Sequence, residues 1–150
     1  MTKPAFNELI REEHLRTIED AVASVELLTS AEVRVHFEEH CNEDVLDHAA
    51  FIFGELNMHR TAVRNGVLVY VAPLDHKMAV IGDAGINARV QSGFWDEVRD
   101  IMLPHFQRNA FSEGLAAGLE LIGTELSRHF PRENNDQNEL PNTVSIGKSK

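Results

Sequence analysis

Residues 65–87, NGVLVYVAPLDHKMAVIGDAGIN, decide the fold. The first part, 65–73, is continuously apolar and β-branched, which predicts a central strand covered on both faces. Leu74-Asp75-His76 is a short polar reversal, and Lys77–Gly82 reads as a second strand. A connection this short joins antiparallel neighbours. The second strand runs into Gly82-Asp83-Ala84-Gly85-Ile86-Asn87, a cluster of residues suited to a tight turn.

Upstream, residues 31–38 alternate, with Val33, Val35 and Phe37 on one face and Glu32, Arg34 and His36 on the other, the pattern of a half-buried strand. Residues 7–28 carry Leu9, Ile10, Leu15, Ile18, Val22 and Val25 at helical spacing, with Asn7 as the expected cap. Residues 43–57 place Val45, Leu46, Ala49, Phe53 and Leu56 likewise. Downstream, a helix is predicted from Ser92 through Met102, near Pro104, and a last one over 109–130 with Ser112 as its N-cap. Phe94, Trp95, Phe106 and Phe111 read as packing between these two helices. The order helix, strand, helix, strand, strand, helix, helix predicts an α/β layered domain with a small mixed sheet. One domain is expected over 1–130. Residues 131–150, polar and asparagine-rich, are expected to be a disordered tail.

The 150 residues suit a single domain, and 43% are hydrophobic. A formal charge of -10 disfavours nucleic acid and anionic lipid as partners. Cys41 is the one cysteine, so no intrachain disulfide forms. The start lacks a signal-like apolar core, and no apolar run nears the roughly 20 residues of a membrane helix. A cytoplasmic monomer without a membrane span is therefore expected, with any protein partner left open.

Familiar motifs fail on spacing. GDAGIN lacks the pattern of a dinucleotide fingerprint, a Walker loop or an EF-hand, so no nucleotide is expected. His36 and His40 lie roughly 13 Å apart along a strand, too far to share zinc. No haem and no zinc are expected. Cys41 beside His40 points to the opposite face and makes no nucleophile pair.

Chain path brings more together. With strands one and two parallel through a right-handed crossover, and strand three returning antiparallel, three ends share one edge of the sheet. That edge carries Glu32, Asn65 and Asp83, with His59, Thr61 and Arg64 in the preceding connection. Two carboxylates and an amide oxygen are hard ligands suited to Ca2+ or Mg2+. Gly82 and Gly85 are expected to let the backbone turn tightly there. A local role stands beside each of these: Asp83 as a turn residue, Glu32 pairing with Arg64 or Arg34, and Asn65-Gly66 as turn chemistry. The opposite edge offers Asp75, His76 and Lys77.

SAEVRVHFE (30–38), MHRTAVRNGVLVYVAPLDHKMAVIGDAGIN (58–87) and FWDEVRDIMLPHFQRNAFSEGLAAGLELIG (94–123) together resemble the TPM domain family, in its short bacterial form, over roughly 7–130. The resemblance implies an α/β/α sandwich. It also implies divalent-cation binding and, as in plant members, acid phosphatase activity; other members act by binding partners. Two readings follow. The first is an interaction module, non-catalytic or weakly catalytic, that binds a cation at the Glu32/Asp83 edge. The second is a metal-dependent phosphatase acting on phosphomonoesters, with Arg64 holding phosphate and His59 protonating the leaving group.

Overall fold

The computed structural model describes residues 4–132 and 144–147. In chain order the elements are α1 (Phe6–Leu9), α2 (Glu12–Glu26), β1 (Glu32–Phe37), α3 (Val45–Glu55), β2 (Gly66–Ala72), β3 (Lys77–Gly82), α4 (Ala84–Asn87), α5 (Phe94–Gln107), α6 (Phe111–His129) and β4 (Ser145–Ile146). Short 3-10 turns at Met58–Arg60 and Pro73–Asp75 precede β2 and β3.

Among the described residues the sheet has four strands, in the order β3-β2-β1-β4. β1 and β2 run parallel and β2 and β3 antiparallel, as the chain path required. Alternation sorts the side chains into two layers. Val33, Val35, Phe37, Val67, Val69 and Val71 join Ile18, Val22, Val98, Met102, Leu119 and Ile122 from α2, α5 and α6. On the other face, Leu68, Tyr70, Ala72 and Ala79 pack with Ala49, Ile52 and Phe53 of α3 and with Met58. The result is an α/β/α sandwich, with α2, α5 and α6 on one face and α3 on the other.

Several expectations are corrected. β1 is buried on both faces, not half-exposed: Glu32 and His36 are 4% exposed. The helix over 7–28 is broken at Ile10, whose side chain turns into the core, so Asn7 lies inside α1 and caps nothing. Ser112 lies in the first turn of α6, and Ala110 takes the cap position. α5 continues past Met102 with Pro104 inside it, because its last turn carries the fully buried Phe106.

Most of the expected tail, 133–143 and 148–150, lies outside the described residues. Within its described parts, Pro131 bridges to Thr29. Ser145–Ile146 pairs in parallel with His36–Phe37, an element that sequence reading did not assign.

Candidate functional site

The sheet register builds the expected edge. Glu32 lies opposite Gly66, and Val67 opposite Gly82. One step outward, the Asp83 amide donates to the Gly66 carbonyl at 2.9 Å. Positions 32, 66 and 83 thus form one row, with the outer two about 10 Å apart across two strand spacings. The pleat directs this row toward the α3 layer. Gly66 stands in its middle, and a Cβ there would meet the Met58 carbonyl oxygen at 2.8 Å. Close approach of that carbonyl is what requires glycine.

Asp83 is buried, and both its oxygens are engaged. Arg64 donates through Nε to Oδ2 and through Nη2 to Oδ1, each at 2.7 Å. The Ala84 amide also donates to Oδ1, so Asp83 caps α4 as well. Burial alone would push its carboxyl up. The Arg64 donors, the Ala84 amide and the charges of Arg64 and His59 outweigh it, and the pKa is lowered. Arg64 is itself unusual, a non-glycine residue at φ 54. That left-handed conformation is strained for a side chain of this size. Its carbonyl accepts from the Gly85 amide at 2.9 Å, which holds it there.

Thr61 is buried, and its Oγ1 accepts from the Asn65 amide at 2.9 Å, closing the connection into β2. Asn65 is 2% exposed, and its Nδ2 donates to the Ser30 carbonyl at 3.4 Å. Only the nitrogen can face a carbonyl, so the other end of the amide must be oxygen. That oxygen, Oδ1, is buried and has no hydrogen-bond partner among the described residues. His59 is exposed, and its nearness to Asp83 contributes to the lowered Asp83 pKa.

Gly82 and Gly85 do not turn the chain through positive φ; among the described residues, Gly93 is the glycine that does. They are small because neighbours press on them. A Cβ on Gly85 would run into the carbonyls of Val63 and Arg64, the latter at 2.6 Å. One on Gly82 would meet the Trp95 ring at 2.6 Å. Asn87 ties the turn, donating to the Gly82 carbonyl at 2.7 Å and accepting from Trp95 Nε1 at 2.9 Å.

The structure thus gathers Asn65, Asp83, Arg64, Thr61, Gly82 and Gly85 at one edge, with Glu32 in the same row. Among the described residues, no group of three or more His, Cys, Asp or Glu side chains is arranged to hold a metal ion. A cleft of about 590 Å3 bordered by Arg89, Glu97, Glu125 and Arg128 contains none of the edge residues.

At the opposite edge, Asp75 accepts from the Cys41 amide at 2.8 Å and pairs with His40 at 2.9 Å. Lys77 donates to the Cys41 carbonyl at 3.1 Å, and His76 contacts Asn109 Oδ1 at 2.8 Å. The contacts of Asp75 and Lys77 tie the loop after β1 to the start of β3, that of His76 reaches the connection between α5 and α6, and Cys41 is buried.

A second polar cluster, at the far end of β1, escaped sequence reading. Buried Glu38 accepts from Tyr70 Oη at 2.8 Å, His48 Nε2 at 2.6 Å and His36 Nε2 at 3.3 Å. Burial would raise its pKa, but those three donors hold it low. His48 also meets Glu43 through Nδ1 at 2.5 Å. Burial would lower its pKa; the contacts with Glu43 and Glu38 outweigh that and raise it. His36 goes the other way, lowered by burial despite Glu38. The available signal was the two-residue step from His36 to Glu38, which puts both on the α3 face.

A family model described as the TPM domain matches residues 5–125. Among solved structures, the BA42 protein from the psychrophilic bacterium Bizionia argentinensis is 41% identical, with a TM-score of 0.84 over 90% of this chain and 93% of that one. The N-terminal domain of a P. gingivalis protein is 17% identical, with a TM-score of 0.65 over 87% and 85%. The N-terminal domain of cg2496 from Corynebacterium glutamicum is 13% identical, with a TM-score of 0.63 over 81% and 78%. These last two share the fold. No curated protein matches. Among the described residues, no helix is long and apolar enough to cross a membrane.

Proposed function

The chain belongs to the TPM domain family, and from that premise we propose an interaction module whose Glu32–Asn65–Asp83 edge takes Ca2+ or Mg2+. The observation that carries this reading is the buried Asn65 Oδ1, an acceptor without a partner among the described residues, one residue from the row that carries Glu32 and Asp83. A buried acceptor left unpaired costs about 1–3 kcal/mol. A hard cation, when bound, neutralises the carboxylates and accepts that oxygen as a ligand. Arg64 plays the part of an internal counter-ion on Asp83. Its side chain is 52% exposed, so it can turn outward at small cost and leave Asp83 to a competing cation. An outward Arg64 would then be offered to a partner. With few protein oxygens at the edge, affinity in the range of about 0.1–1 mM is expected.

The test is an amide-resolved NMR titration with CaCl2 and MgCl2 against NaCl at matched ionic strength. Amides of 32, 64–66 and 82–87 should shift together in the wild type, and those shifts should vanish in Asn65→Ala. No shift at about 10 mM cation would refute the reading. The phosphatase reading needs Arg64 to grip phosphate with the guanidinium edge now turned on Asp83. A phosphomonoester assay on wild type and Arg64→Ala decides it: hydrolysis abolished by the substitution would favour catalysis over the module.

A further inference from the structure

β4 touches β1 at two register positions, His36 with Ser145 and Phe37 with Ile146, and the Gly147 amide then donates to the Phe37 carbonyl at 2.8 Å. Each position asks something different of its occupant. His36 Nε2 faces the Glu38 carboxylate and so carries the ring proton, leaving Nδ1 as an acceptor. Ser145 Oγ stands 2.6 Å from Nδ1 and donates to it. That position suits a short hydroxyl side chain. Ile146 is 51% exposed, so the next position is unrestricted. At Gly147 a Cβ would meet Glu38 Oε2 at 2.6 Å and His36 Nε2 at 2.9 Å. Those atoms cannot yield easily, because Tyr70 and His48 hold the Glu38 carboxylate from the other side. Only glycine fits.

The present occupant is lightly held. Its ladder is two residues long, and one of its two side chains, Ile146, stands half in solvent. From Thr29, bridged to Pro131, to His36, paired with Ser145, the path along β1 is about 23 Å. The chain from 131 to 145 can span about 46 Å, twice that distance.

We propose that the outer edge of β1 at His36–Phe37 is an acceptor site for an extended segment of a partner protein with the pattern hydroxyl–x–glycine, running parallel to β1. Residues 144–147 are its resident competitor. Main-chain bonds supply affinity and the two side-chain positions supply selectivity, the mode of strand addition to a sheet edge. In this chain the motif is followed by Lys148 and Lys150, and the protein carries a formal charge of -10. A basic flank after the glycine is therefore part of the preferred partner.

The experiment uses full-length wild type and Gly147→Val, in which the resident strand should be displaced. The peptide TVSIGKSK should bind Gly147→Val about tenfold more tightly than wild type, because its intramolecular rival is gone. It should restore the wild-type amide positions of His36, Phe37 and Tyr70. TVSIVKSK should not bind. Should Gly147→Val fail to fold, Ser145→Ala loosens the resident strand by one contact and should still bind the peptide several-fold more tightly than wild type. Equal affinity for the two peptides, or no gain in either variant, overturns the proposal. A concentration-dependent wild-type dimer that exchanges residues 144–147 also overturns it, making a second copy the occupant.

Discussion

Arg64 and Asp83 meet in a two-point ion pair, Nε to Oδ2 and Nη2 to Oδ1, both at 2.7 Å and 19 residues apart in the chain. The pair fastens the entry of β2 to the exit of β3, and half of it is buried while the other half faces water. Asp83→Ala deletes both the pair and the cap on α4. A loss of about 1–3 kcal/mol is expected in urea unfolding. Arg64→Ala should cost less than Asp83→Ala, because the Ala84 amide still serves the carboxylate.

Calcium should set the two variants further apart. Arg64→Ala removes the internal competitor, so cation affinity should rise severalfold while Asp83→Ala abolishes it. Calorimetric titration of the two variants reads this directly. Weaker binding by Arg64→Ala would make the arginine a ligand-holding group rather than a rival.

His36 and His48 should titrate on opposite sides of the ordinary value of about 6.5. His48 is raised in the fold, so its contribution is full below about pH 6.5 and is lost as pH rises through its folded value. His36 is lowered, so the unfolded chain binds more protons near its ordinary value. Its contribution is therefore present above about pH 6.5 and is lost as pH falls through the folded value. Asp83, also lowered, contributes above about pH 3.9 and loses that contribution as pH falls through its folded value. Imidazole proton shifts between about pH 4 and 9 should separate the histidine pair, and His48→Gln should flatten the alkaline loss.

Glycine substitutions should split by neighbourhood. Gly85→Ala drives a methyl into two backbone carbonyls and should cost about 1–3 kcal/mol or more. At Gly54, inside α3, an added methyl would meet nothing within 4 Å. Gly54→Ala should therefore stabilise by about 0.5–1 kcal/mol. Melting temperatures of the two variants should move in opposite directions.

Much of the architecture was legible because strand periodicity and connection length constrain topology strongly. Val67–Val71 reads as buried on both faces, and the short reversal after it forces the β2–β3 pairing. With β1 set parallel to β2 by the right-handed crossover, the row through positions 32, 66 and 83 follows. What escaped had at most a weak local signature. Asp83 looks the same in sequence whether it caps a turn, pairs with Arg64 or waits for a metal. The polar face of β1 read as solvent-exposed because His36 and Glu38 are individually hydrophilic. They are buried because Tyr70, His48 and Ser145, distant in sequence, satisfy them. β4 was missed because two paired residues in a polar, asparagine-rich stretch produce no periodicity.

The placement of β4 has a consequence for biosynthesis. His36 and its strand partner Ser145 are separated by 109 residues, so at about 5–20 residues per second β1 waits roughly 5–20 s for its neighbour. Throughout that interval the nascent sheet presents an unpaired border at His36–Phe37. A ribosome-bound chain is therefore most open to stray strand pairing at the position that Ser145 and Ile146, made more than a hundred residues later, will close.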